Sequence, residues 1–223
     1  VENMSRSPYA LTSARWGQKM GDTAAIDMMV GALTCPMGTG HMGVTAENVA
    51  AEAQITREDQ DAFALESQNR AAAAIKEGRF ASQIVPIEVK VKRDLVAWAT
   101  DEHPKATTIE ALAKLRPAFK KDGSVTAGNA SGLNDGAAAV VVARADAAEK
   151  AGLKARARVI GYAIAGVPAR TMGVGPIAAV GQLLARIGMT ADEFDVIEAN
   201  EAVAAQAIAV NRGLGLGPAK VNV

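Results

Sequence analysis

Apolar and polar positions along the chain alternate with two different periods, and each period predicts its own kind of element. After a turn-rich stretch at Thr34–Gly43, helical spacing begins at Thr45, which is placed as an N-cap, and runs to about Ala53. Thr56 with Asp59 three residues on has the pattern of a capping box, and the helix it opens carries Phe63, Leu65, Ala72 and Ile75 before Gly78 stops it. Thr23–Leu33 reads as a short apolar helix, and Val1–Gly21 as an extended arm. Ile84–Lys92 alternates, with Ile87, Val89 and Val91 against Glu88, Lys90 and Lys92, which predicts a half-buried antiparallel strand. Asp94–Thr108 reads as irregular apart from an apolar patch around Trp98. The Gly/Asn-rich turn Thr126–Gly136 feeds Ala137–Ala143, a run with the β-branching of a buried strand, and Ala145–Ala151 then reads as a helix ending at Gly152. A second series follows: a strand at Arg158–Ala163, a helix at Pro176–Ile187 closed by Gly188, a short buried strand at Asp195–Ala199, and a helix at Ala202–Arg212 ending at Gly213. Strand, helix, strand, helix predicts a parallel, layered α/β sheet.

Composition narrows the function. Lys+Arg and Asp+Glu are equal at 24 each, so no general field draws nucleic acid or an anionic membrane, and an anionic ligand must be caught by local charge. One cysteine, Cys35, excludes an internal disulfide framework and a cysteine-based metal cluster. No apolar run reaches the ~18 residues of a transmembrane helix, and no basic-then-apolar leader opens the chain. A reducing, cytoplasmic setting is the expectation. The start at Val1 and the stop at Val223 both read as cuts through a longer protein.

Several candidate motifs have simpler readings. Gly38-Thr39-Gly40-His41-Met42-Gly43 matches G-x-G-x-x-G letter for letter, and Gly173–Ala178 is a weaker echo. A dinucleotide site needs a leading strand, a helix opening inside the motif and a later acidic residue, and here a helix and Pro36 come first. Cys35 with His41 six residues on could pair a thiol with a base, but no orienting carboxylate or helix N-terminus is evident nearby, so an inert thiol is expected. His103 reads as a solvated loop residue. Asn200, where a strand gives way to a helix, admits two readings: a helix N-cap, or an amide aimed at a water or a developing oxyanion.

Five stretches in register resemble the thiolase family from end to end of the chain. They are Glu2–Ser5, His41-Met42-Gly43-Val44-Thr45-Ala46-Glu47-Asn48, Lys114–Phe119, Thr126-Ala127-Gly128-Asn129-Ala130-Ser131-Gly132-Leu133-Asn134-Asp135-Gly136, and Glu198-Ala199-Asn200-Glu201-Ala202. The resemblance implies an α/β fold of two related layered halves, each a five-stranded sheet between helices, with an α+β loop domain inserted in the first; it is incomplete here at both ends. It puts the end of the N-terminal half at 1–3, the loop domain at 4–133, the return to the N-terminal half at 134–154, and the start of the C-terminal half at 155–223, with 8–21 as the arm that pairs dimers into a homotetramer. The implied chemistry is acyl transfer between coenzyme A thioesters: condensation of two acetyl-CoA, or cleavage of a 3-ketoacyl-CoA by CoA. It implies no tightly bound cofactor and no metal, with CoA and acetyl-CoA as substrates.

By the same resemblance, Asn200 fixes an oxyanion-hole water, and His41 and Met42 line the thioester end of the pocket, in the manner of short-chain acetoacetyl-CoA enzymes. Leu33, Ala127, Ser131, Leu133 and Ala202 are further pocket positions. The family's nucleophilic cysteine, catalytic histidine and second cysteine match nothing in these 223 residues, and Cys35 matches none of their motifs. Three positions depart from the pattern. Val203 stands where Phe is common, which removes contact worth about 1–3 kcal/mol if nothing refills the space. The loop Asp101–Thr108 is one residue short and lacks the usual arginine, so Lys105 substitutes as a point charge. Ala111 stands where Ser is frequent. The competing reading is a non-catalytic CoA-binding or assembly module from a truncated gene. With half of each sheet lacking, open strand edges and apolar faces are expected to meet water.

Overall fold

The computed structural model describes residues 1–223. Strand β1 (Glu2–Asn3) leads to a hairpin of β2 (Tyr9–Leu11) and β3 (Ala25–Asp27), with Tyr9 opposite Asp27. Asp27 ends the strand and caps α1 (Met28–Ala32), its carboxylate accepting the Met29 N–H at 2.9 Å. The helix predicted over Thr23–Leu33 is thus shortened by its own cap residue. A second hairpin joins β4 (Thr34–Cys35) to β5 (Gly40–His41). Gly38 and Gly40 take φ of +80° and +94° in this turn, backbone that suits glycine. The first two glycines of the G-x-G-x-x-G stretch therefore build a hairpin and not a phosphate cradle, and the third, Gly43, lies inside the helix that follows.

Helix α2 (Met42–Glu52) starts three residues before the predicted cap, because the His41 side chain caps it; Thr45 lies inside, its hydroxyl donating to Met42 O. Helix α3 (Arg57–Lys76) has the predicted capping box of Thr56 and Asp59, and Gly78 beyond its end has φ +70°. Strands β6 (Ile87–Val91) and β7 (Asp94–Trp98) form a hairpin where only the first strand was predicted. The alternation is present, yet apart from half-buried Val89 the hairpin is exposed on both faces. Thr108 caps the short α4 (Ile109–Ala113). Strand β8 (Asp135–Gly136) pairs with β1, and the Asp135 carboxylate accepts from Ser5 N–H and hydroxyl, which holds this acid below the usual carboxylate range. Then come α5 (Ala145–Lys150), α6 (Gly175–Ile187, with Pro176 in its first turn and Gly188 at φ +69°) and α7 (Ala204–Leu214). Helix α7 begins two residues later than predicted and passes through Gly213 to stop at Gly215. Gly213 is there for packing: a Cβ on it would fall 2.5 Å from Ile177 of α6.

The buried core gathers where small side chains let helices approach. Val49 and Ala50 of α2, Ile55, and Ala205, Ile208 and Ala209 of α7 form one cluster, with Phe63 packed against it. Alanine on α7 brings its backbone close to α2, and this fixes the two segments that carry the site.

The predicted parallel sheet does not assemble within this chain. Four two-stranded antiparallel pairs are present, and the one parallel contact is an isolated bridge between Ile197 and Val221. Val140, Val141 and Val142 are 86%, 91% and 81% exposed, and Val159 and Tyr162 are also exposed. A β-branched run becomes a buried strand only when neighbouring strands supply its hydrogen bonds and a layer covers its face, and these segments have neither beside them. No helix is long and apolar enough to cross a membrane.

Candidate active site

A buried polar frame shapes the loop that follows α4. Asp61 of α3, 2% exposed, accepts from Arg57 Nε at 2.7 Å and from Asn129 Nδ2 at 2.9 Å. Asn129 also donates to Ser124 O and accepts the Thr126 N–H, and Arg57 donates onward to the carbonyls of Leu112 and Leu115. Glu47 of α2, 6% exposed, accepts the N–H groups of Ser124 and Val125. Every strong acceptor in this frame has a donor, which is the condition under which burying it is tolerable. The frame turns 117–126 back on itself, with Pro117 bridged to Thr126, and so delivers Phe119 to α2.

There Phe119 stacks on His41, ring centroids 4.9 Å apart and planes 17° from parallel. A Cβ at Gly43 would lie 2.2 Å from the Phe119 ring, so glycine is what admits it. His41 Nδ1 accepts the Gly43 N–H at 3.0 Å as the α2 cap. With Nδ1 spent as an acceptor, the neutral ring carries its proton on Nε2, free to donate to a ligand.

The loop then meets the start of α7. Ala130 bridges Val203, Ala204 N–H donates to Asn129 O at 2.9 Å, and both the N–H and the hydroxyl of Ser131 donate to Ala202 O, at 3.1 and 3.0 Å. The Ser131 hydroxyl has spent its proton, so toward a ligand it offers lone pairs that suit an amide N–H. Val203 is the α7 cap position, which decides one alternative: Asn200 lies outside the helix and is not its N-cap.

A cavity of about 960 Å³ joins these parts, and it is mostly apolar. Leu33, His41, Met42, Ser131, Leu133, Asn200, Ala202 and Val203 all line it. Ala127 and Lys105 do not; Ala127 is exposed, and the Lys105 N–H bonds the Gln68 side chain at the edge of a smaller pocket of about 210 Å³. Ala130 and Ser131 stand between the two spaces and line both. His103 is an exposed loop residue, as expected, and its ring covers Gly132, where a Cβ would come within 2.3 Å of it. Cys35 is half-buried and lies off the cavity. Its thiol is held below the ordinary value, chiefly by the Thr39 hydroxyl and then by the Met37 backbone. Neither influence is legible in the sequence, because both come from the turn between β4 and β5.

A mostly apolar cavity with few convergent polar groups has the form of a small-molecule site. Comparison with known proteins identifies the group. Residues 1–146 match the thiolase N-terminal domain and residues 153–223 the thiolase C-terminal domain. The chain belongs to the thiolase family. It is 55% identical over 224 residues to a beta-ketothiolase (BktB) of Cupriavidus necator, covering 100% of this chain and 57% of that protein. It superimposes on the crystal structure of the Bacillus anthracis acetyl-CoA acetyltransferase with a TM-score of 0.95 and 47% identity, over 99% of this chain and 56% of that one. On human mitochondrial 3-ketoacyl-CoA thiolase in complex with CoA the TM-score is 0.91 at 42% identity, over 99% and 55%. The chain spans a little over half the length of these relatives.

Proposed function

We propose that this chain is the central part of an acetyl-CoA acetyltransferase that moves acyl groups between coenzyme A thioesters. The observation that carries the reading is that His41, from the loop region, and Asn200, from the far part of the chain, line one cavity. In this reading the pantetheine arm runs along Met42, Leu133 and Val203, and Ser131 accepts one of its amide N–H groups. His41 Nε2–H donates at the thioester end, and Asn200 holds the water that meets a developing oxyanion. Lys105 stands near the nucleotide as a point charge. The nucleophilic cysteine and catalytic histidine come from segments outside these 223 residues, and the same segments cover Ala137–Ala143 and Arg158–Ala163. The arm 8–21, with Trp16 and Met20 fully or nearly fully exposed, pairs dimers into a tetramer.

The test is acetoacetyl-CoA cleavage by the full-length gene product beside the 223-residue chain. Turnover is expected from the first and none above background from the second. Robust turnover by the short chain would refute the placing of the missing groups, and CoA binding without turnover by the full-length protein would favour a non-catalytic module. Ser131→Ala and His41→Ala in the full-length protein are expected to weaken acetyl-CoA binding by roughly 5- to 10-fold each, the worth of one hydrogen bond. Calorimetric titration checks this, and unchanged affinity in both variants would show that the pocket is wrongly drawn.

A further inference from the structure

We propose that Glu201 and Asn222 are positioning residues that aim Asn200 into the cavity, without touching the ligand themselves. The inference rests on the transferase reading, in which Asn200 faces the reacting thioester. Asn200 stands in a short connection before α7, so no helix or sheet fixes it. Its two neighbours in the chain are instead held from outside. The Asn222 side chain clamps Ala199 on both sides: Oδ1 accepts its N–H and Nδ2 donates to its carbonyl, each at 2.8 Å. The same Nδ2 donates to Glu201 Oε1 at 2.8 Å, and the other Glu201 oxygen accepts from the Ser67 hydroxyl of α3 at 2.5 Å. Positions 199 and 201 are thus tied to one amide and to the longest helix, and none of these bonds uses the amide of Asn200.

Two details set this apart from ordinary loop packing. Asn222 has φ +51°, a conformation that side-chain-bearing residues adopt rarely and asparagine more readily than most. Its backbone is held there by Asn222 N–H to Ile197 O at 2.9 Å and Ile197 N–H to Lys220 O at 2.8 Å. Unusual backbone kept under such constraint is typical of functional loops. Glu201, half-buried, receives hydrogen bonds from two neutral donors, and it lines the smaller pocket, where Asn200 does not reach. The carboxylate acts as a double acceptor behind the site. A Gln can keep this geometry, its oxygen accepting from Asn222 and its NH2 donating to a reoriented Ser67.

The test uses the full-length protein and acetoacetyl-CoA thiolysis. Glu201→Ala removes the anchor, and Asn222→Gly removes the clamp while accepting the same φ. Both are expected to lower kcat by roughly 10- to 100-fold, the scale of a misplaced catalytic group, with KM moving less than about 3-fold. Glu201→Gln is expected to recover kcat to within about 3-fold of wild type. Unchanged kcat in Glu201→Ala and Asn222→Gly overturns the proposal. So does a loss shared by kcat, KM and melting temperature that Gln fails to restore, since that marks a merely structural pair. Asn200→Ala is run beside them. If it slows an active enzyme while the Glu201 and Asn222 variants do not, only the positioning claim fails; if the wild-type protein has no turnover, the transferase reading fails and takes this proposal with it.

Discussion

Asn200→Ala in the full-length protein is expected to lower kcat for acetoacetyl-CoA thiolysis by about 100-fold or more, with a much smaller change in KM. The size follows from what one preorganised donor at a developing oxyanion contributes, about 3–4 kcal/mol in a water-poor site. The KM argument is separate. Asn200 is one polar group in a cavity whose lining is mostly apolar, so most ground-state binding comes from Met42, Leu133, Val203 and their neighbours. A donor that matters only as charge develops acts on kcat and leaves substrate binding almost intact. Steady-state kinetics on the variant checks this. A rise in KM with unchanged kcat would mean that Asn200 contributes only uniform binding.

The largest effect on stability is expected from Asp61→Ala. Removing one partner of a buried ion pair costs about 3–5 kcal/mol when the other charge is left without compensation. Arg57 keeps the carbonyls of Leu112 and Leu115 and is about one-fifth exposed, and Asn129 keeps Ser124 O, so compensation is partial. The lower end, about 3 kcal/mol, is therefore expected. Asp61→Asn, which retains one acceptor, should fall between wild type and alanine. Urea unfolding of the full-length variants measures both. A loss for Asp61→Ala of less than about 0.5 kcal/mol, within the range of ordinary surface changes, would show that the frame does not hold the loop.

Local chemistry was readable wherever one residue type could serve only one end of an element. Thr56 with Asp59, Pro176 and Gly188 marked helix ends that the structure has. The errors have physical causes. Thr45 is a better N-cap by type than His41, but the hairpin before α2 puts the imidazole where the orphan N–H groups are. The β6–β7 hairpin was half missed because its turn has no Gly or Asn; Lys92 adopts φ +57° instead. Gly213 reads as a stop in the sequence because its contact with Ile177 cannot be seen in one dimension. Ala137–Ala143 and Arg158–Ala163 have strand sequences without strand partners, and pairing is a property of neighbours. For the site, most of the pocket positions came from the family resemblance and line one cavity, while Ala127 and Lys105 lie off it. The Arg57–Asp61–Asn129 frame was missed, although the i, i+4 spacing of Arg57 and Asp61 was a faint signal. The ties of Glu201 to Ser67 and Asn222 had none, being set by tertiary contact alone.

The most direct measurement is a crystal structure of the full-length protein with acetyl-CoA. The thioester is expected between His41 and Asn200, with its carbonyl oxygen within hydrogen-bond reach of His41 Nε2 or of a water held by Asn200, about 2.6–3.2 Å for each link. An acetyl-CoA bound elsewhere, with the cavity of His41 and Asn200 left to solvent, would contradict the account at its base.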